Sequence, residues 1–102
     1  MKRLVFSKLA ESDLLALTIY LAENAGADVA VRVAVELKER IRLLQHSPLM
    51  GATTSRRKSM RQVIFDDYIV VYEVQANQVR IARIWRSKQN RPVRQKPTTT
   101  TP

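Results

Sequence analysis

A chain of 102 residues with 45% hydrophobic content is long enough for one compact domain with a real core. It has no cysteine, which excludes disulfides and thiolate metal sites and fits a cytoplasmic location; no apolar run approaches the ~18 residues of a membrane span, and the basic start MKRLVFSKL lacks the apolar stretch of a signal peptide. The net charge is +9, and after Glu73, the last acidic residue, Arg80, Arg83, Arg86, Lys88, Arg91, Arg94 and Lys96 stand locally unopposed. Because that field begins within a predicted strand, it points to nucleic acid or an acidic protein partner rather than to a tail that only aids solubility.

Lys2 to Phe6 reads as a short strand, with Leu4 and Phe6 on one side and Val5 on the other. Ser7 suits the N-cap of a first helix over Lys8 to Asn24, with Glu11 and Asp13 in its early turns, where the dipole favours negative charge. Ala10, Leu14, Leu17 and Leu21 make one apolar stripe; Leu9, Ile19 and Tyr20 lie off it and suggest an interface. Gly26 suits a left-handed cap, and Asp28 can cap a second helix from Val29 to His46. The stripe Val29, Val33, Leu37, Ile41 and Leu44, with Arg32, Glu36 and Arg40 at fourfold spacing, argues helix despite the many valines. A gap of about four residues makes the two helices an antiparallel hairpin.

Pro48 ends the second helix, and Leu49-Met50-Gly51 turns the chain. Ala52 to Ser59 reads as a polar loop whose Arg56-Arg57-Lys58 cluster is either a solvated tip or a phosphate or carboxylate contact. Met60 to Phe65, Tyr68 to Val74 and Val79 to Trp85 then read as a meander, with turns at Asp66-Asp67 and Gln75 to Gln78. Tyr68, Val70, Tyr72 and Val74 share one face of the middle strand, while Ile69 and Val71 share the other, so the strand reads as central and covered on both sides. On the third strand, simple alternation places Val79, Ile81, Arg83 and Trp85 on one face and Arg80, Ala82 and Ile84 on the other. Arginine is rarely buried unpaired, so Arg80 and Arg83 should reach an edge, a groove or a carboxylate. Residues 89–102, with three prolines and four consecutive threonines, are too polar to fold alone and read as a flexible tail after a domain over residues 1–88.

The expected fold class is α+β, in the order β-α-α-β-β-β: a helical hairpin packed on a small, mainly antiparallel sheet. In that order stand VFS leading into A-x-x-D-L (Ala10, Asp13, Leu14), H-S-P-L-M-G (His46 to Gly51), M-R-Q-V (Met60 to Val63), Y-I-V-V-Y-E-V and V-R-I-A-R-I-W-R-S-K. Over residues 3–92 the chain resembles the ParE branch of the RelE/ParE toxins of type II toxin–antitoxin systems.

The resemblance implies one of two activities. RelE-like members are ribosome-dependent mRNA endonucleases, which need a proton acceptor and cations around the scissile phosphate. Arg61 and Arg83 match two family arginines and would be the catalytic residues of such an RNase. After Tyr72, however, there is no His, Tyr, Asp or Glu apart from Glu73, and His46, the only histidine, sits at a helix end. ParE-like members instead inhibit DNA gyrase, a type II topoisomerase, without catalysis, and are neutralised by a ParD-like antitoxin. The expectation is therefore a cytoplasmic, non-enzymatic toxin with no cofactor, metal, small-molecule substrate or membrane partner, entering a higher-order toxin–antitoxin assembly. A basic nucleic-acid-binding module without toxicity ranks last, since no exposed aromatic pair resembles a base-stacking platform.

Site expectations follow. An acidic antitoxin segment would dock on Leu9, Ile19, Tyr20, Val31 and Val35, with its carboxylates toward Arg61 and Arg83. The target would meet Trp85, Arg86, Lys88 and Arg91, where W-R-S-K stands in place of a family H-G-R-R. Trp85 reads equally as the core end of its strand.

Overall fold

The computed structural model describes residues 1–54 and 59–87. Its elements are β1 (Arg3–Phe6), α1 (Lys8–Ala25), α2 (Ala27–Arg42), a 3₁₀ turn at Leu43–Gln45, β2 (Ala52–Thr53), β3 (Met60–Phe65), β4 (Tyr68–Val74) and β5 (Gln78–Arg86). The five strands form one sheet in the order β1-β5-β4-β3-β2. β1 runs parallel to β5 and every other pair is antiparallel, so the sheet is mixed. The α+β architecture holds, with the two-residue β2 added where a loop was expected.

Ser7 caps α1 as its chemistry predicts: its side chain accepts a hydrogen bond from the Ala10 amide at 3.0 Å. The junction between the helices departs from expectation. A single residue, Gly26, joins them, with φ 102° and ψ 155°. That conformation is open to glycine but is not the left-handed helical cap anticipated. α2 starts at Ala27, so Asp28 lies in its first turn, where the dipole still favours it, and does not cap. α2 ends at Arg42, and the 3₁₀ turn carries the chain to His46.

Ala10, Leu17 and Leu21 of α1 meet Ala30, Leu37 and Ile41 of α2, and Leu44, Phe65, Val70, Tyr72, Val79, Ile81 and Ile84 complete the core. These residues lie on the helix-facing side of the sheet. β4 is central, as expected, but among the described residues no second layer covers its other face. Ile69 is nonetheless only 2% exposed there, directly across from Trp85.

The third strand of the meander carries the main correction. Between Tyr72 and Val71 of β4 the partner on β5 jumps from Ile81 to Arg83, leaving Ala82 as a bulge. The bulge reverses the alternation. Ile84, expected beside Arg80, instead lies across from Val70 and joins Val79 and Ile81 in the core. Arg83 and Trp85 move to the opposite face. An apolar core face is thus kept without burying an arginine.

Candidate functional site

Two clusters gather the polar side chains that the sequence singled out. The first surrounds Tyr72. Its side chain is fully buried, and its hydroxyl donates to the Pro48 carbonyl at 2.7 Å and accepts from the Gly51 amide at 2.9 Å. Arg61, across from Tyr72 on β3, donates through Nη1 to the carbonyls of Gly51 at 2.6 Å and Leu49 at 3.3 Å. Burial raises the Tyr72 pKa, against the Gly51 hydrogen bond and the Arg61 charge, which lower it. Gly51 is required by close approach: a Cβ there would stand 2.6 Å from the Gln62 carbonyl oxygen and 2.7 Å from the Tyr72 hydroxyl. The cluster therefore fixes the Pro48–Gly51 loop against β3 and presents Leu49 and Met50 to solvent. The sequence had marked Tyr72 and the 48–51 segment only as a strand face and a turn, and Arg61 as a family arginine. The signal was there, since a tyrosine on an apolar strand face must find hydrogen-bond partners.

The second cluster lies at the end of β5. Arg83 donates Nε and Nη2 to the two carboxylate oxygens of Asp13 on α1, at 2.8 and 3.1 Å, and the Ile84 amide donates to the same carboxylate at 2.9 Å. The Asp13 hydrogen bond raises the Arg83 pKa further, so its charge is permanent. The Arg83 guanidinium carbon sits 5.4 Å from the Trp85 ring centroid, and that of Arg86 sits 5.0 Å from the ring of Tyr20. Arg86 faces Tyr68 across the strands; burial raises the Tyr68 pKa, while Arg86 lowers it and Asp67 and Asp66 raise it. Trp85 is half-buried over Ile69, so core packing and an exposed ring surface coexist in one side chain.

Arg61 and Arg83 do not meet. Cross-strand partners share a face, and Tyr72 and Val71 face oppositely, so the two arginines stand on opposite faces with β4 between them. Trp85 and Arg86, adjacent in β5, likewise point to opposite faces. Lys88 and Arg91 lie outside the described residues, as does the Arg56 to Lys58 cluster.

Leu9, Ile19, Tyr20, Val31 and Val35 are all exposed, but they are not one patch. At roughly 100° per residue, Leu9 and Tyr20 fall on the flank of α1 toward Arg86. Ile19 falls on the outward side of α1, next to Leu15, which is 62% exposed and was not singled out from the sequence. A groove of about 380 Å³ between the helices is lined by Leu14, Leu15, Thr18 and Ala34, with Phe6 below and Glu11 and Lys38 at its rim. Val31 and Val35 border it on α2, since Val31, Val35 and Lys38 form one helical ridge. Among the described residues no three His, Asp or Glu side chains gather as a metal site, and no helix is long and apolar enough to cross a membrane.

This geometry has known counterparts. The sequence model of the ParE toxin of type II toxin–antitoxin systems, parDE, matches residues 4–91. Among solved structures, the chain is similar to one from the chromosomal ParDE system of P. aeruginosa at 22% identity, TM-score 0.75, covering 86% of this chain and 98% of that one. It is also similar to a chain of the E. coli DinJ–YafQ complex (19% identity, TM-score 0.55, 84% and 93% covered). A third similarity is to the RelB–RelE antitoxin–toxin complex of Methanococcus jannaschii (14% identity, TM-score 0.50, 82% and 91% covered). No curated protein matches at a significant level. The two helices on a five-stranded mixed sheet are the RelE/ParE toxin fold, and the match over residues 4–91 assigns this chain to the ParE toxin family of type II toxin–antitoxin systems.

Proposed function

We propose that the protein is a ParE-like toxin that inhibits DNA gyrase by binding it and does not cleave RNA. The observation that carries this reading is the engagement of both family arginines within the chain. Arg83 gives two of its donors to Asp13, and Arg61 donates to the carbonyls of the 48–51 loop. They stand on opposite faces of the sheet, which supports a reading in which they are not two cations of one phosphate site. His46, exposed after the 3₁₀ turn, is in neither cluster.

The target surface in this reading is the end of β5, which a partner would grasp from both faces, Trp85 on one and Arg86 on the other, continuing through Lys88 and Arg91. Tryptophan and arginine are the side chains most often found to anchor interfaces. Residues 89–102 extend it as a basic tail after the domain of residues 1–88. A ParD-like antitoxin, acidic and extended, occupies the groove between the helices with its apolar side chains on Leu15, Ile19, Val31 and Val35. Its carboxylates meet the Arg86–Tyr20 flank, in place of the Arg61/Arg83 pair. The module works in the cytoplasm, as a plasmid-stabilisation system that assembles toxin and antitoxin in higher order.

Purified protein, ribosomes and a defined mRNA give the test. The reading predicts intact mRNA at every toxin concentration that inhibits gyrase supercoiling. Cleavage in the ribosomal A site that disappears in Arg61→Ala would restore the endonuclease reading.

A further inference from the structure

The outer edge of β5 changes partners midway. β1 pairs with it only from Gln78 to Ile81. Beyond that point the start of α1 takes over. The Ser7 amide donates to the Ile81 carbonyl at 2.9 Å, the Ser7 hydroxyl donates to the Ala82 carbonyl at 2.9 Å, and Asp13 accepts from the Ile84 amide. Asp13 thus stands where a neighbouring strand would otherwise supply an acceptor, and the same carboxylate holds the fork of Arg83.

The two partners are not equivalent. The Asp13 side chain is 16% exposed and that of Arg83 44%, so the carboxylate is the fixed, inner member and the guanidinium the outer one. Three donors converge on Asp13, and a neutral amide has only one acceptor atom to offer them. A free arginine samples many rotamers, whereas a forked pair fixes its plane. The central guanidinium carbon of Arg83 stands 5.4 Å from the Trp85 ring centroid.

We infer that Asp13 is a positioning residue for target recognition: by fixing Arg83 against the Trp85 ring, it presents the two as one preformed cationic–aromatic anchor. The inference rests on the reading of the β5 end as the target surface. Asp13 itself touches no target. Its contribution is preorganisation, which removes the ordering cost that Arg83 and Trp85 would otherwise meet on binding.

The test uses Asp13→Asn and Arg83→Lys. Asn keeps the volume and an acceptor for the Ile84 amide but loses the charge that holds the fork; Lys keeps the cation but not the fork. Trp85 is the only tryptophan of the chain, so its fluorescence reads the site directly. Both variants should need about tenfold more protein for half-inhibition of gyrase, the size of a cation–π contact with its charged hydrogen bonds. Both should also show greater acrylamide quenching and lower anisotropy of Trp85 while still folded. A role confined to stapling α1 to β5 would lower Tm and leave quenching and inhibition of the folded protein at parental values, which would overturn the inference. Trp85→Ala separates this failure from that of the underlying reading. If Trp85→Ala inhibits like the parent, the β5 end is not the target surface, and the recognition role of Asp13 falls with it. If Trp85→Ala is inactive while folded Asp13→Asn behaves as the parent, the reading stands and the positioning role is wrong.

Discussion

Arg61 and Arg83 come from the same meander and end in opposite settings. Arg61 points into the angle between the sheet and the Pro48–Gly51 loop, and its donors meet backbone carbonyls beside a fully buried tyrosine. Arg83 lies on the other face, held by a carboxylate from α1 and placed beside the partly exposed ring of Trp85. The first arrangement fixes a loop. The second fixes a surface. The difference comes from a single bulge residue, Ala82, which turns Arg83 away from the core face that simple alternation would have given it.

Substitutions break this comparison in order of size. Tyr72→Ala should cost the most, about 4 kcal/mol in denaturant unfolding, because it leaves a core cavity and orphans Gly51 and Pro48 together. Gly51→Ala should cost about 3 kcal/mol, because the new Cβ meets backbone at Gln62 that cannot move without opening β3.

Tyr72→Phe should cost about 2 kcal/mol, the penalty for leaving the Gly51 amide and the Pro48 carbonyl unpaired. It also carries a pH signature. Burial favours the protonated phenol of Tyr72 in the folded state, so its pKa lies above the ordinary value of 10.0. The unfolded chain therefore ionises first as pH rises. The stability linked to Tyr72 is complete below pH 10.0 and is lost as pH climbs from there through the folded-state value. Urea titrations at rising alkaline pH should show a steeper loss for the parent than for Tyr72→Phe. Equal slopes would remove Tyr72 from the account, leaving Tyr68, whose shift has the same sign.

On the β5 side the effects on stability should be smaller and those on function larger. Asp13→Ala should cost about 1 kcal/mol, because Arg83 is nearly half exposed and solvent screens much of the pair. A thermal melt distinguishes this from the larger loss at Tyr72. Arg86→Glu should cost less, about 0.5 kcal/mol, the low end of a solvent-exposed cation–π contact such as that with Tyr20.

Much of this was legible in the sequence. The strand bounds of Met60–Phe65 and Tyr68–Val74, the Ser7 cap and the apolar stripes follow from alternation, capping chemistry and helical spacing. The parts that were not legible depend on contacts between distant segments. The bulge at Ala82 depends on how β5 matches β4, and nothing local in V-R-I-A-R-I-W marks it. The parallel seat of β1 beside β5 is a tertiary choice, and so is the two-residue β2, too short to show a pattern. That Arg83 must reach an edge, a groove or a carboxylate was legible, but neither the choice of a carboxylate nor its identity was, since Asp13 lies 70 residues away. The five exposed apolar residues of the hairpin were named correctly as exposed, yet their separation into different sides of the hairpin needed the helix geometry, as did the addition of Leu15.

Gyrase supercoiling inhibition by the parent and by Arg86→Glu, measured beside their melting curves, tests the central claim most directly. The account predicts that the parent inhibits, that Arg86→Glu melts within about 4 °C of it, and that inhibition by the variant falls at least about tenfold. A parent that leaves gyrase untouched, or a folded Arg86→Glu protein that inhibits as well as the parent, would contradict it.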